Sequence, residues 1–153
     1  TRTLIHGTIN HGMQFLSENR YLLPTTYYGS ISGVGVAFEN SWHMNHRVAV
    51  IGLGTGTLTS YARKGDYYRV YEINPMVLDV ARGEFRYLKG CRGTCEVVLG
   101  DARLSMEREK PQNFDVIAVD AFSGDSIPVH LLTKEAVALY MRHLNPQGIL
   151  CIH

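Results

Sequence analysis

Arg47-Val48-Ala49-Val50-Ile51-Gly52-Leu53-Gly54-Thr55-Gly56-Thr57-Leu58 is the stretch that decides the fold. Residues 48–51 form an unbroken apolar run, the mark of a strand covered on both faces. Gly52, Gly54 and Gly56 then strip one side of a turn of its Cβ atoms, which opens the backbone to a ligand. A short helix running to about Lys64 is predicted next, with its first N–H groups aimed at that ligand. Strand, glycine turn and helix in this order are how α/β folds hold a nucleotide-like molecule.

Further strands are predicted over 68–73, 96–99, 114–120 and 148–152. Between them, Asn74-Pro75 supplies a cap and a first-turn proline for a helix with Met76, Val77, Val80 and Ala81 on one side. Thr133 caps another helix, after a polar loop over 121–130. Alternating strands and helices imply a doubly wound, mostly parallel α/β sheet of Rossmann-like type. Ahead of it, residues 3–9 and 12–16 flank Asn10-His11-Gly12 and read as a β-hairpin. The small-residue stretch 27–38 suits a helix packed close to a neighbour, although its glycines weaken that helix by ~1 kcal/mol each against Ala. The hairpin unit is set at 1–20 and the nucleoside-binding α/β domain at 21–153.

At 153 residues the chain makes one domain that buries roughly 70 % of its unfolded surface. Fifteen basic and 14 acidic residues nearly cancel, so charge offers no case for nucleic acid. No apolar run approaches the ~20 residues of a membrane span. Cys91, Cys95 and Cys151 read as reduced thiols of a cytoplasmic domain, without the ligand pairs of a zinc site. The chain opens on Thr1 and ends within an apparent strand, so it is expected to be an excised domain whose C-terminal strands lie outside it. An uncovered sheet edge would then favour a homo-oligomer.

In an open α/β sheet, ligands bind at the carboxyl ends of the strands. The Gly52 turn, Glu72, Asp101 and Asp120 all fall at such ends. Glu72, with Ile73 beside it, lies twenty residues beyond Gly52, where an acid caps the hydroxyls of a ribose. Asp101 and Ala102 offer an acceptor and a backbone donor suited to the amine edge of adenine, while Asp101 also reads as a helix cap. Asp120 ends a strand that is apolar from Val116 to Val119, placed to attract an amine or to take its proton. Thr57 breaks the GxGxxG dinucleotide pattern, and no Lys follows the turn as a P-loop demands. An adenosyl ligand without pyrophosphate fits, either S-adenosylmethionine or its decarboxylated form.

These motifs together resemble the spermidine synthase (polyamine aminopropyltransferase) group of the class I S-adenosylmethionine-dependent methyltransferase fold. The resemblance spans Leu4-Ile5-His6-Gly7-Thr8-Ile9-Asn10, Tyr27-Tyr28, residues 48–56, Tyr71-Glu72-Ile73-Asn74, Gly100-Asp101-Ala102 and residues 114–120. Asp120-Ala121-Phe122-Ser123-Gly124-Asp125-Ser126-Ile127-Pro128 is most similar to a subgroup often fused to membrane segments. By resemblance, Gly52, Gly54, Thr55, Gly56, Glu72, Ile73, Asp101 and Ala102 bind the donor, and Asp120 is the first acid of the catalytic loop. Asn10, Tyr27, Tyr28 and Asp125 are implied on the acceptor side, with an amine such as putrescine as substrate.

Three positions depart from that pattern. Thr55 replaces an acid facing the donor's ammonium, Ser123 replaces the second loop acid, and Gly29 stands where a polyamine-contacting Glu is usual. Without an acid at 55 nothing repels an α-carboxylate, so intact S-adenosylmethionine is admissible. Aminopropyl transfer is therefore expected first, methyl transfer to another acceptor second, and a non-catalytic nucleoside-binding or partner-packing domain third.

Overall fold

The computed structural model describes residues 1–39, 44–122 and 126–153. Its centre is a five-stranded sheet in the order β5-β4-β3-β6-β7, parallel throughout. The strands are β3 (Arg47–Ile51), β4 (Tyr67–Glu72), β5 (Thr94–Leu99), β6 (Phe114–Val119) and β7 (Leu144–Ile152). The chain winds outward from β3 through β4 to β5, then returns to lay β6 against the other side of β3. That reversal puts the topological switch between β3 and β6, where open α/β sheets form their crevice.

Apolar residues cover both faces of β3. Val48 and Val50 pack into one core layer with Phe38, Tyr68, Leu78 and Ala81. Ala49 and Ile51 point the other way, to Met106, Ile117, Tyr140 and Leu139. Helices α1 (Gly33–Glu39) and α2 (Pro75–Gly83) serve the first layer, α3 (Ala102–Arg108) and α4 (Lys134–His143) the second. Asn74, Asp101 and Thr133 cap α2, α3 and α4 with their side chains, each accepting a backbone N–H two or three residues on. The cap reading of Asp101 is therefore met.

Several local expectations change. The hairpin is present as β1 (Arg2–His6) and β2 (Ile9–Gln14), but it turns at Gly7-Thr8, and Asn10 and Gly12 lie within β2. Gly7, at φ 62, supplies the positive dihedral that a two-residue hairpin turn needs at its first position. The segment after the glycine turn is a five-residue 3-10 turn, Thr57–Tyr61, rather than an α-helix. Its Thr59 and Ser60 hydroxyls donate back to the carbonyls of Gly56 and Thr57, which competes with a longer helix. Within 27–38 only α1 is an α-helix, and it is packed close as expected: a Cβ on Gly35 would collide with the Gly29 carbonyl. The buried side of α2 is Leu78 and Ala81, whereas Met76 is 71 % exposed. Cys91 and Cys95 are joined in a disulfide rather than reduced; the turn into β5 brings their Cα atoms to 6.5 Å, within bridging reach. Cys151 is free. No helix among the described residues is long and apolar enough to cross a membrane.

Candidate active site

A cavity of about 1050 Å³ opens at the carboxyl ends of the parallel strands. The hairpin and Tyr27-Tyr28 wall one side, and the glycine turn and Glu72 form the floor. Gly100 to Ala102, the segment after β6, and His153 close the rest.

The glycines of the turn serve the protein's own backbone more than a ligand. Gly52, Gly54 and Gly56 all have positive φ, at 101°, 51° and 85°. A Cβ on Gly52 would strike the Asp120 carbonyl, and one on Gly54 would lie 2.7 Å from the His11 carbonyl. A Cβ on Gly56 would press on the Leu88 side chain at 3.3 Å. The turn is therefore bare so that the hairpin and the segment after β6 can close over it. Gly52 and Gly54 still line the cavity; Gly56 does not.

Thr55 also faces the protein. Its side chain is not on the cavity wall but buried, 1 % exposed, with Oγ1 2.8 Å from Thr57 Oγ1. It packs under Gly12 of β2, whose φ of 130° and missing Cβ leave it room. The hairpin, absent from any local reading of the turn, has claimed that side chain.

Glu72 sits at the floor, 8 % exposed, and joins the ends of two strands. The Leu53 N–H donates to its Oε2 at 3.0 Å and the Asn74 N–H to its Oε1 at 2.8 Å. Each oxygen keeps a further lone pair for a diol in the cavity. Ile73, next to it, is 69 % exposed on the wall.

Asp120 lines the same cavity. Its backbone N–H bonds the Ile51 carbonyl, so the residue leaves β6 directly above the glycine turn. Tyr28 Oη donates to its Oδ2 at 2.8 Å, while Oδ1, shielded from solvent, has no hydrogen-bond partner among the described residues. Burial pushes the carboxyl up from 3.8 to about 7, against the Tyr28 hydrogen bond, which favours the ionised form. A carboxyl poised there is half ionised near neutrality and suits proton transfer. Burial and the facing Asp120 raise the Tyr28 phenol far above its ordinary value, so it stays a donor.

Tyr27 Oη donates to the Asn10 carbonyl at 2.6 Å, mooring the hairpin over the site. The Tyr27 and Tyr28 rings lie 4.5 Å apart, and the His153 ring is 5.2 and 5.3 Å from them. Burial lowers the His153 pKa, keeping that ring neutral beside the two phenols. Burial also lowers the His11 pKa, helped by His6 and opposed by Glu72.

Asn10, Tyr27, Tyr28, Asp101, Ala102 and Asp120 thus share one cavity with Glu72 and Ile73. Asp125 and Ser123 lie outside the described residues. His11, His130 and His153 line the cavity without having been singled out from the sequence. The signal for His153 was available, since it ends a strand as Glu72 and Asp120 do. For His11 and His130 it was not, because each reaches the site through a loop or hairpin whose path the sequence does not reveal.

No protein-family model matches the chain. It is 35 % identical over 109 residues to a polyamine aminopropyltransferase of Vibrio vulnificus, an alignment covering 68 % of this chain and 36 % of that one. Among solved structures it is similar to a probable spermidine synthase from Corynebacterium glutamicum. That match has 25 % identity and a TM-score of 0.64, and covers 76 % of this chain and 43 % of the other. The human Methyltransferase-like protein 13 in complex with SAH matches at 21 % identity and a TM-score of 0.60, over 75 % of this chain and 55 % of that one. The last likeness bears on the fold alone. The chain spans about a third of the length of the curated relatives it matches.

Proposed function

We propose that this relative of the polyamine aminopropyltransferases is a transferase that uses an S-adenosylmethionine-type donor to alkylate an amine. The observation that carries the reading is the Asp120 carboxyl, held near neutrality in pKa, with its shielded Oδ1 unpartnered among the described residues, in a residue that lines the same cavity as Glu72. Glu72 fits the two ribose hydroxyls, and the segment 100–102 fits the base. Tyr27, Tyr28 and Asp120 fit a cationic or neutral amine, the rings through their π-faces and the carboxylate through charge.

In the reaction the lone pair of the amine nitrogen forms a C–N bond to the methylene carbon beside the sulfonium. The C–S bond breaks with its electron pair passing to sulfur, and methylthioadenosine leaves neutral. The surplus proton of the alkylated nitrogen passes to ionised Asp120 and then to water. The sulfonium is already a good leaving group, so positioning supplies much of the acceleration. Incubating the protein with decarboxylated S-adenosylmethionine and putrescine should release methylthioadenosine, and Asp120→Asn should abolish that release. Failure of the folded wild-type protein to release it would reject aminopropyl transfer.

Methyl transfer from intact S-adenosylmethionine is the second reading, favoured by a glycine turn whose cavity-lining residues, Gly52, Leu53 and Gly54, present no acid to an α-carboxylate. Tighter binding of the intact donor than of its decarboxylated form would select it.

A further inference from the structure

We propose that His130, oriented by Asp101, is the residue that reads the base of the donor; this rests on the adenosyl-donor reading above. Each oxygen of the Asp101 carboxylate already has one protein partner. Oδ1 accepts the Leu104 N–H at 2.9 Å as the cap of α3, and Oδ2 lies 2.9 Å from His130 Nε2. The imidazole is the more accessible of the two at this end of the cavity: the His130 side chain is 49 % exposed, that of Asp101 19 %. The His130 backbone is held as well. Arg103 Nη1 donates to the His130 carbonyl at 3.0 Å and to Thr133 Oγ1 at 3.2 Å, tying the segment after β6 to α3.

A carboxylate oxygen can only accept, so Nε2 carries a proton, and the tautomer with that single ring proton presents Nδ1 as an acceptor. Nδ1 has no hydrogen bond among the described residues. A lone acceptor at the rim of an apolar wall, with Ile73 69 % and Met76 71 % exposed, suits a flat heterocycle that carries an exocyclic amine. A purine with an oxo group at that position would set acceptor against acceptor. Asp101 thus acts as a positioning residue for the imidazole, and His130 makes the contact that distinguishes amino from oxo purines.

The test is calorimetric titration of the whole chain with S-adenosylhomocysteine and S-inosylhomocysteine, for wild type, His130→Ala and His130→Phe, with melting curves to confirm folding. Wild type should favour the adenosyl ligand by about tenfold or more. His130→Ala should bind it about tenfold more weakly and lose the preference. His130→Phe should keep much of the affinity through ring contact while also losing the preference. Unchanged affinity and preference in His130→Ala, or full preference in His130→Phe, would overturn the assignment and return base reading to Asp101. Wild type that is folded and binds neither ligand would instead remove the adenosyl-donor reading, and this assignment with it.

Discussion

Replacing Asp120 with Asn should stabilise the protein above neutral pH while abolishing the proposed release of methylthioadenosine. The Asp120 carboxyl is raised from 3.8 to about 7 in the folded state, so the fold binds its proton more tightly than the unfolded chain does. The stability this contributes is fully present below about pH 4 and is lost as pH rises through about 7. A displacement of about three pH units corresponds to ~4 kcal/mol at 1.36 kcal/mol per unit, an upper bound because the carboxyl is not fully buried. Asn has no such titration and can accept the Tyr28 hydroxyl as Asp does. Its unpaired amide adds a constant penalty of ~1–3 kcal/mol, which cancels when two pH values are compared. Between pH 5 and pH 8 the stability of Asp120→Asn relative to wild type should therefore grow by about 2–3 kcal/mol. Urea unfolding of both proteins at the two pH values measures this directly. Parallel pH–stability curves would refute the buried-carboxyl argument, and with it the case for Asp120 as a base tuned to neutrality.

Tyr28→Phe removes the hydrogen bond that favours ionised Asp120, a charge-assisted bond worth ~1.5–3 kcal/mol. The Asp120 titration, followed by carboxyl carbon NMR, should move up by about one to two pH units. Thr55→Asp would bury a carboxylate beneath Gly12 and beside Thr57, costing about 3 kcal/mol or more in urea unfolding. Because position 55 does not line the cavity, any folded Thr55→Asp protein should show the wild-type preference between intact and decarboxylated donor. Gln14→Leu would strand the Arg86 N–H and the Tyr21 carbonyl that the buried amide now joins, at a cost of ~2–4 kcal/mol. Loss of amide-exchange protection in β2 before that in β3 would show that the hairpin loosens first.

The parallel sheet was legible because its strands are short apolar runs between turn residues, and burial on both faces permits little else. Asp101 and Thr133 were legible as caps for the same local reason: a side-chain oxygen two or three residues from an orphan N–H. The strand-end rule gathered Glu72, Asp101 and Asp120, which the structure brings into one cavity. The hairpin turn was misplaced because both Gly7-Thr8 and Asn10-His11-Gly12 carry turn chemistry, and only strand pairing decides between them.

By itself, the sequence determined the periodicity: which segments are buried strands, which are capped helices, and which acids end a strand. Those are local consequences of side-chain volume, backbone dihedrals and the spacing of polar groups. Tertiary structure alone decided what the glycine turn faces. Packing the hairpin over residues 52–56 brought the His11 carbonyl against Gly54 and drew Thr55 under Gly12, away from the cavity. It also placed His130 on the carboxylate that the sequence had reserved for a base. Both outcomes depend on contacts between residues far apart in the chain, set by how a hairpin and a loop close over the sheet, and no local pattern encodes that closure.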